Sequence, residues 1–515
     1  MQYLVSLMLR VVEWESRLRR GQLTVSHLRY ELDESVRILK ILFDLMKRIE
    51  HAADCGDVLD EIAAMQASYS HIAEINGACE GLLIAGFEQY LRVVVDYCCQ
   101  GSTESDIYDE IFMKRINSDV PVEGIRAIPK MFKPYTDSIV RSGRNSWLMR
   151  KLRCTPTDIV PPDPSKFLSY EFAGRDFFSQ CLSRTSAALY EAVNIQHPIE
   201  GSIEWFHQYM LLGRSDWFLD LLDRLSPELE KPTKHIDRSK LSEYLVSLPG
   251  APTCDFHVFQ IEDIFGPGGS FRTSHELLYQ QDSVQTENML GTKSFTLNPS
   301  IKFPLSLIFP DSTIFKFQTV FRIISHVVIV SKKLRQLWLR FQTLKVIGDG
   351  CVLFSANILL KRMMHVVENL LYYLQIDVVA ASKRKLSRQI NEGEKDIDHV
   401  KDCVSLLVDE ILMGCCISPS CVRATNKVLG TCSLFASHMT RFVNMHGNSH
   451  EENLVQITQE EQYIGLIAKF EDAFDGQLNS LLVQLKQHVS ADRSRALALV
   501  AKIDYNAFYS ESIGL

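Results

Sequence analysis

Glycine and proline are scarce in this chain, which has 25 glycines and 17 prolines among 515 residues. Typical proteins contain roughly 7% glycine and 5% proline. Because these two residues form turns and interrupt helices, a chain that is poor in them has few turns per residue. The scarcity therefore predicts an all-α fold with long helices rather than many short strands.

The overall composition excludes several classes of protein. Hydrophobic residues make up 46% of the chain and charged residues 23%, which is typical of folded proteins and not of disordered ones. The net charge of -8 gives no basic excess of the kind that nucleic-acid-binding proteins carry. No run of apolar residues reaches the roughly 18 that a membrane span needs. We therefore expect neither nucleic acid as a partner nor a membrane span.

The chemistry-bearing residues form no recognisable catalytic or cofactor motif. P-loop, dinucleotide and GxSxG patterns are absent, and the glycine-rich FGPGGS lacks the lysine of a phosphate loop, which favours a solvent loop. His438, His446 and His450 suggest a metal site, but no HExxH motif surrounds them, and polar loop histidines are favoured. The 13 cysteines form no CxxC pair, which favours reduced thiols. We expect no catalytic residue, no metal and no cofactor.

The segment 22–50 carries a clear helical pattern. Thr24 and Ser26 are both candidates for its N-cap. Its apolar residues recur at helical spacing in a wide stripe, which predicts a helix packed between neighbours rather than one lying on a surface. The stripe consists of Val36, Leu39, Leu42, Phe43, Met46 and Ile49.

Composition also divides the chain. The segment 154–166 holds four prolines and is the clearest linker signal, so we place an N-terminal helical domain at 1–170 and a C-terminal helical domain at 171–515. The LPGAP and FGPGGS sequences predict loops within 227–300, and we expect the few short strands to be confined to about 227–310. From 311 the pattern returns to long helices.

Two groups of cations stand out on predicted helices. A solvated helix face is the favoured interpretation of both, and the alternative is a surface that attracts an acidic protein partner. The groups are Lys332, Lys333 and Arg335, and Lys383, Arg384, Lys385 and Arg388.

Several blocks resemble one protein family. The C-terminal LALVAKIDYNAFY is similar to the ending of the gamma-tubulin complex component family. IKFPLSLIFP resembles the family's aromatic-Pro-Leu segment, and RMMHVVENLLYYLQIDVV its block with a central Asn-Leu-x-Tyr-Tyr-Leu. LTVSHLRYELDE is most similar to a block of component four of that family. The agreement of these blocks in order along the chain identifies it as a member.

The resemblance implies a fold and a function. The fold would be two elongated helical-bundle domains, of which 1–170 makes lateral contacts with other components and 171–515 binds gamma-tubulin. The protein would be a non-catalytic scaffold of the gamma-tubulin complex that helps to template microtubule nucleation at minus ends. Its location would be the cytoplasm, the cytoskeleton and the microtubule organizing center. The alternative from another class is a helical subunit of a vesicle-tethering complex.

The resemblance also implies site residues. For Tyr372, Tyr373 and Leu374 core packing is favoured over tubulin contact, and Asp504 and Asn506 are expected to cap or tie the last helix. The candidates for gamma-tubulin binding are Phe303, Pro304, Leu305, Phe309, Lys332, Lys333, Arg335, Arg362, Asn369 and Tyr373. The structural motif residues are Ser26, His27, Tyr30, Asp504, Asn506 and Tyr509.

The start of the chain raises a further expectation. Met1 lies close to the Ser-His-x-x-Tyr block, so the opening helix-rich stretch of the family is expected to be missing. An incomplete lateral face would leave too little contact area for a stable pair. On this ground we expect the isolated chain to be monomeric or weakly associating.

Overall fold

The computed structural model describes residues 2–107, 111–114, 122–154, 171–247, 253–256, 290–344, 351–415, 419–446, 455–487 and 493–511. Helices dominate these residues, which confirms the all-α prediction. The chain divides into two compact units: unit 1 comprises Met1–Gln196 and Lys395–Ile397, and unit 2 comprises His197–Glu394 and Asp398–Leu515. Unit 1 therefore ends later than the boundary drawn at residue 170. The proline-rich segment 154–166, on which that boundary was based, lies almost wholly outside the described residues.

Unit 1 is a helical bundle with one small hairpin. The Thr24 Oγ1 accepts a hydrogen bond from the His27 backbone N–H at 3.3 Å, so Thr24 rather than Ser26 caps the second helix. Gly101 ends the fourth helix with a φ of +62°, a conformation that favours glycine. The elements are α1 (Gln2–Arg19), α2 (Val25–His51), α3 (Cys55–Ser68), α4 (Ala73–Gln100), β1 (Phe112–Lys114), β2 (Val122–Ile125), a 3-10 turn (Lys130–Tyr135), α5 (Thr136–Lys151) and α6 (Glu171–Gln196).

Aromatic side chains fill the centre of unit 1. The Phe132 ring lies 5.7 Å from the rings of Phe87 and Tyr90 and 5.9 Å from that of Phe178, measured between centroids. The Tyr90 hydroxyl donates to the Ala127 carbonyl at 3.1 Å, so its polar tip is satisfied inside the core. These contacts join α4 and α6 to the 3-10 turn between them.

The hairpin corrects one prediction, because β1 and β2 lie outside the range 227–310 to which strands were assigned. They pair antiparallel, with Phe112 opposite Ile125. The Asp106 carboxylate accepts hydrogen bonds from the backbone N–H groups of Ile111 and Phe112, both at 3.1 Å. The Phe112 ring packs 4.5 Å from that of Tyr97. Burial of this aromatic side chain against α4 accounts for the strand.

The direction in which α2 buries its residues also differs from the prediction. Ile38 and Leu45 point into the core of unit 1. Leu42 and Ile49 from the predicted stripe are partly buried against that core. The other four stripe residues, Val36, Leu39, Phe43 and Met46, are exposed. α2 therefore has one buried apolar face and a second apolar face directed at solvent.

Unit 2 contains the longer helices and a second two-stranded sheet, in which β3 pairs antiparallel with β4 and Thr253 lies opposite Asn298. This sheet agrees with the predicted strand range, whereas the FGPGGS loop lies outside the described residues. The elements are α7 (Ile199–Tyr209), α8 (Asp216–Leu229), α9 (Arg238–Val246), β3 (Thr253–Phe256), α10 (Gly291–Ser294), β4 (Phe295–Asn298), α11 (Asp311–Leu344), α12 (Cys351–Tyr372), a π-helical segment (Tyr373–Ala380), α13 (Ala381–Glu392), α14 (Ile397–Cys415), α15 (Pro419–His446), α16 (Val455–Gln487), α17 (Arg493–Ile503) and α18 (Phe508–Glu511).

The helix α11 forms the core of unit 2. Val320, Phe321 and Ile324 are completely buried, and Gln318 donates its side-chain amide to the Leu297 carbonyl of β4 at 3.0 Å. Among the described residues, Asp311–Thr343 is the one segment long and apolar enough to cross a membrane, but 83% of its apolar window is buried within the protein. The core helix of a folded domain can be equally long and apolar, so the length and apolarity of this helix are only weak evidence for a membrane span.

The close approach of α5 to α4 generates a stability prediction. A Cβ added at Gly143 of α5 would lie 2.0 Å from the Tyr97 ring of α4. We expect Gly143→Ala to lower the free energy of unfolding by about 1–3 kcal/mol, because the overpacked ring must move. Gly81→Ala is the matched control, since this helical glycine has no atom within 4 Å of the new methyl group. The control should be neutral or slightly stabilising through helix propensity.

Thermal or urea unfolding of both variants, followed by circular dichroism, measures these changes. Equal stability of the two variants would contradict the proposed close packing of α4 and α5.

Candidate functional site

The C-terminal end of the chain is tied to α12 by one arginine. The Arg362 Nη1 donates to the Glu471 carboxylate at 2.6 Å, and its Nη2 donates to Asp475. Its Nε donates to the Tyr509 hydroxyl at 3.3 Å. The guanidinium also lies 5.5 Å from the centres of the Phe508 and Tyr509 rings. We call these five residues the C-terminal tie.

The local sequence explains how the tie forms. Glu471 and Asp475 are four residues apart on α16, so both carboxylates lie on one face of that helix. Burial acts to lower the pKa of Arg362, but the Tyr509 hydroxyl and the two carboxylates outweigh it and raise that pKa. The guanidinium therefore remains charged and can engage several acceptors at once through its planar fork.

A capped turn positions the aromatic residues of the tie. α17 ends at Ile503, and the next residue, Asp504, is buried. The Asp504 Oδ1 accepts a hydrogen bond from the Tyr509 backbone N–H at 2.9 Å, which fits the expectation that Asp504 ties the last helix. The Asn506 Oδ1 lies 3.5 Å from the Phe508 N–H, at the limit of a hydrogen bond. Ala507 has a φ of +57°, so the backbone turns sharply here.

Three aromatic residues in or beside the tie are more than half exposed: Tyr372, Tyr505 and Phe508. The core-packing interpretation was therefore wrong for Tyr372, whose side chain lies on the outer face of its helix. The Tyr505 ring packs 6.0 Å from the His365 ring of α12. Lys502 lies 4.4 Å from the centre of the Tyr372 ring and forms an ion pair with Asp377. We call Tyr372, Tyr505 and Phe508 the aromatic surface.

Tyr372 and the α12 residues that support the aromatic surface share one face of that helix. Arg362, His365, Asn369 and Tyr372 recur at intervals of three and four residues. Asn369 donates its side-chain amide to the backbone carbonyl of His365 at 2.9 Å. Exposed aromatic residues that are held in place by such contacts are typical of protein interfaces.

The Phe303–Pro310 segment serves the core rather than the surface. Pro304 follows a cis peptide bond and is buried, whereas Phe303 and Leu305 are half-buried. Phe309 is buried and stacks on Phe206 with a centroid distance of 4.3 Å. The Phe309 side chain is therefore not available to a partner in this structure.

The first basic group is not a row of unpaired cations, although Arg335 is exposed, as a solvated face predicts. The Lys332 Nζ lies 2.7 Å from the Asp223 carboxylate, and it donates to the Leu219 carbonyl at 2.8 Å. Lys333 pairs with Glu230 and Arg335 with Glu368, both at 3.0 Å. Carboxylates from α8, from the residue that follows α8 and from α12 pair with these three side chains, and Lys332 and Lys333 are half-buried.

The second basic group is partly neutralised in the same way. Lys383 donates to Glu204, and this hydrogen bond is the main cause of the lowered pKa of the Glu204 carboxyl. Lys385 forms an ion pair with Glu410. Arg384 and Arg388 are exposed, which agrees with a solvated face at these two positions.

Tyr373 lies inside unit 2, as the core-packing interpretation expects. Its hydroxyl donates to the Gly414 carbonyl at 3.2 Å. The ring borders a cavity of about 40 Å³ whose lining includes His326 and Asn426. Burial lowers the pKa of His326 to about 4, so the imidazole is neutral near pH 7.

The N-terminal motif residues are placed differently from the expectation that they anchor a helix. Ser26, His27 and Tyr30 are all exposed, and the His27 imidazole lies 3.4 Å from the Glu31 carboxylate. Only the His27 backbone takes part in the cap, through Thr24. The three residues therefore lie in the first turns of α2, but their side chains do not pack this helix against the rest of unit 1.

Among the described residues, no group of three or more His, Cys, Asp or Glu side chains could hold a metal ion. His438 packs against the Phe470 ring at 5.7 Å, and His450 lies outside the described residues. The cysteines described are free thiols. Burial raises the pKa of Cys415 to about 12, so this thiol carries little thiolate near neutral pH.

Sequence reasoning missed three members of this site. These are Glu471, Asp475 and His365, none of which was among the predicted site residues. The spacing of the two carboxylates on α16 was an available signal, because acidic residues four apart on a helix present a paired acceptor to a cation.

Comparison with known proteins shows the family. Residues 2–200 match the model for the gamma tubulin complex component N-terminal domain, and residues 201–509 match the model for the C-terminal domain. The two matches meet near the point where unit 1 gives way to unit 2.

Individual relatives agree with the family models. The chain is 19% identical to gamma-tubulin complex component 2 of Mus musculus, over 98% of this chain and 62% of the relative. It is 20% identical to gamma-tubulin complex component 2 of Arabidopsis thaliana, over 92% of this chain and 73% of the relative. It is 22% identical to spindle pole body component alp4 of Schizosaccharomyces pombe, over 57% and 45%. The chain thus spans less than two thirds of the length of the mouse protein. The two family models together cover nearly all of this chain. The chain belongs to the gamma-tubulin complex component family.

Proposed function

We propose that this protein is a non-catalytic scaffold subunit of a gamma-tubulin complex. Unit 2 binds gamma-tubulin, and unit 1 contacts neighbouring components laterally. The observation that carries the proposal is the end-to-end match of the two family models over residues 2–509. Nothing in these matches supports the alternative of a vesicle-tethering subunit.

The physical mechanism is pre-organisation. A scaffold that holds several gamma-tubulins at a fixed spacing removes part of the entropy cost that the first tubulins would otherwise lose on assembly. Nucleation of a microtubule at its minus end follows, at a microtubule organizing center of the cytoskeleton, in the cytoplasm. No bond is made or broken by the scaffold in this mechanism.

The aromatic surface is our candidate for the gamma-tubulin contact. Tyr372, Tyr505 and Phe508 lie within the part of the chain that matches the C-terminal family model. Tyrosine and phenylalanine are enriched at the centres of interfaces, and aromatic side chains lose little entropy on binding. Arg362 and Asn369 from the predicted set support this surface from α12, whereas the buried Phe309 and Tyr373 stabilise unit 2 from within.

Apolar residues on the outside of unit 1 support the lateral contacts. Val5, Met8, Leu9 and Val12 recur on α1 at helical spacing and are exposed. Exposed apolar residues that recur on one helix are costly in water, and a neighbouring component would cover them. The likeness of the N-terminal block to component four stays a prediction, because the relatives named above are component 2 proteins and a spindle pole body component.

The first prediction tests the aromatic surface. The double variant Tyr372→Ala/Tyr505→Ala of the full chain should bind gamma-tubulin about tenfold or more weakly, because two interface aromatics are removed. Tyr30→Ala is the matched control: Tyr30 is an equally exposed tyrosine in unit 1, and its loss should leave the affinity unchanged. The measurement is the affinity of the purified full-length chain for surface-immobilised gamma-tubulin.

If wild-type chain does not bind gamma-tubulin at all, the proposed function fails. If it binds and the double variant binds equally well, the function stands and the contact lies elsewhere in the protein.

The second prediction tests the C-terminal tie. Arg362→Met should destabilise unit 2 by about 1–3 kcal/mol, because Glu471 and Asp475 lose their partner, although both carboxylates are partly exposed and solvent moderates the cost. It should also weaken gamma-tubulin binding, since Phe508 loses its support. Arg362→Lys keeps the charge but not the planar fork and should give an intermediate result.

Urea unfolding measures the loss of stability, and the rate of limited proteolysis near the C-terminus measures how far the C-terminal segment has lost its support. An Arg362→Met chain with wild-type stability and an intact C-terminus would contradict the role assigned to this residue.

A further inference from the structure

The exposed face of α2 is a regular apolar stripe. It consists of Leu32, Val36, Leu39, Phe43 and Met46, which we call the outer stripe. These side chains are between 36% and 68% exposed, whereas Ile38 and Leu45 of the same helix are less than 5% exposed in the core. The outer stripe is thus a second apolar face on a helix that already packs into the core of unit 1 through its other face.

The spacing of the outer stripe specifies the shape of its partner. Successive members are four, three, four and three residues apart, so the steps average 3.5 residues and two steps make one heptad. Apolar residues at this spacing form the seam of a left-handed coiled coil, in which each side chain inserts between four residues of a facing helix. Val36 and Phe43 then occupy a positions, and Leu32, Leu39 and Met46 occupy d positions. The partner that fits this face is another α-helix.

The charges beside the outer stripe select a second copy of the same helix. Asp33 and Lys40 occupy successive e positions, both are exposed, and neither forms an ion pair with a described residue. In an antiparallel pair of identical helices, e positions of the two copies face each other. With Val36 packed against Leu39 of the second copy, Asp33 of each copy faces Lys40 of the other. Two equivalent ion pairs of opposite charge result.

A parallel pair of the same helices is disfavoured by charge. Its a positions would place Arg29 on Arg29 and Glu50 on Glu50 of the second copy, at the two ends of the seam. Like charges facing each other across an interface are destabilising. The antiparallel arrangement avoids both pairs and has two-fold symmetry, so it closes as a dimer and does not propagate into a fibre.

We propose that α2 pairs antiparallel with α2 of a second copy of this chain through the outer stripe. Val36 packs on Leu39 and Phe43 on Leu32 of the second copy, flanked by the two Asp33–Lys40 pairs. This inference goes beyond the binding of gamma-tubulin and does not depend on it. It also departs from the expectation of a weakly associating chain, which rested on the start of the sequence and not on this face.

The first test is the oligomeric state of the full chain. Sedimentation over a concentration series at low micromolar levels should show a dimer, and Leu39→Asp should convert it to a monomer with unchanged helix content, because Leu39 is not in the core. Leu82→Asp is the matched control, an exposed leucine on α4 of the same unit that should leave the dimer intact. Leu39→Asp should also leave binding to gamma-tubulin unchanged.

The second test uses charge exchange, which only the antiparallel second-copy pairing predicts. Asp33→Lys and Lys40→Asp should each weaken self-association about tenfold or more, since each places like charges opposite each other twice. An equimolar mixture of the two variants should dimerise again, because one copy then carries two lysines and the other two aspartates. The double variant Asp33→Lys/Lys40→Asp should also dimerise.

Three results would overturn the proposal. One is a wild-type chain that remains monomeric at concentrations where the interface should be saturated. Another is a dimer that Leu39→Asp leaves intact. The third is a monomer whose binding to a different gamma-tubulin complex component is weakened by Leu39→Asp, which would assign the outer stripe to a helix of that component.

Discussion

The charge of Arg362 is the constraint around which the C-terminal part of unit 2 is arranged. One guanidinium links α12, α16 and the end of the chain, because it donates to Glu471, Asp475 and Tyr509 at the same time. A largely buried cation requires such acceptors, since burial without them would cost several kcal/mol. Phe508 of the aromatic surface therefore lies against a cation that is itself held in place, whereas Tyr505 packs on His365 and Tyr372 lies against Lys502.

Much of the fold could be predicted from the sequence. The scarcity of glycine and proline correctly indicated long helices, and the short strands β3 and β4 fell in the expected range. The hairpin β1–β2 was missed, although Asn117, Ser118, Asp119 and Pro121 between its strands are residues that favour turns. Strands of three or four residues are too short for alternation to identify them, and only their burial against α4 reveals why they form.

The site was less predictable, for a physical reason. Periodicity shows that a helix has an apolar face, but not whether a neighbour covers it, so the stripe on α2 was assigned to the interior while four of its residues face solvent. Charge patterns have the same limit. Lys332 and Asp223 are far apart in sequence, and their ion pair depends on how α8 and α11 pack. The blocks that carried the resemblance identified Arg362 and Asp504, whereas the pairing of Arg362 with Glu471 and Asp475 depends on how α12 and α16 pack.

The pairing of β3 with β4 has a consequence for how unit 2 tolerates change. The two strands hold Phe256 opposite Phe295, so the ends of the connection between β3 and β4 lie side by side, and an isolated bridge pairs Leu290 with Pro232, which follows α8. Once two ends are held together, the entropy of closing the connection grows only with the logarithm of its length, at about 0.6 kcal/mol for each doubling. Because the β3–β4 pairing and the Pro232–Leu290 bridge hold these ends, the stability of the bundle depends only weakly on the length of the connection. A change in the length of this connection is therefore expected to cost unit 2 little stability.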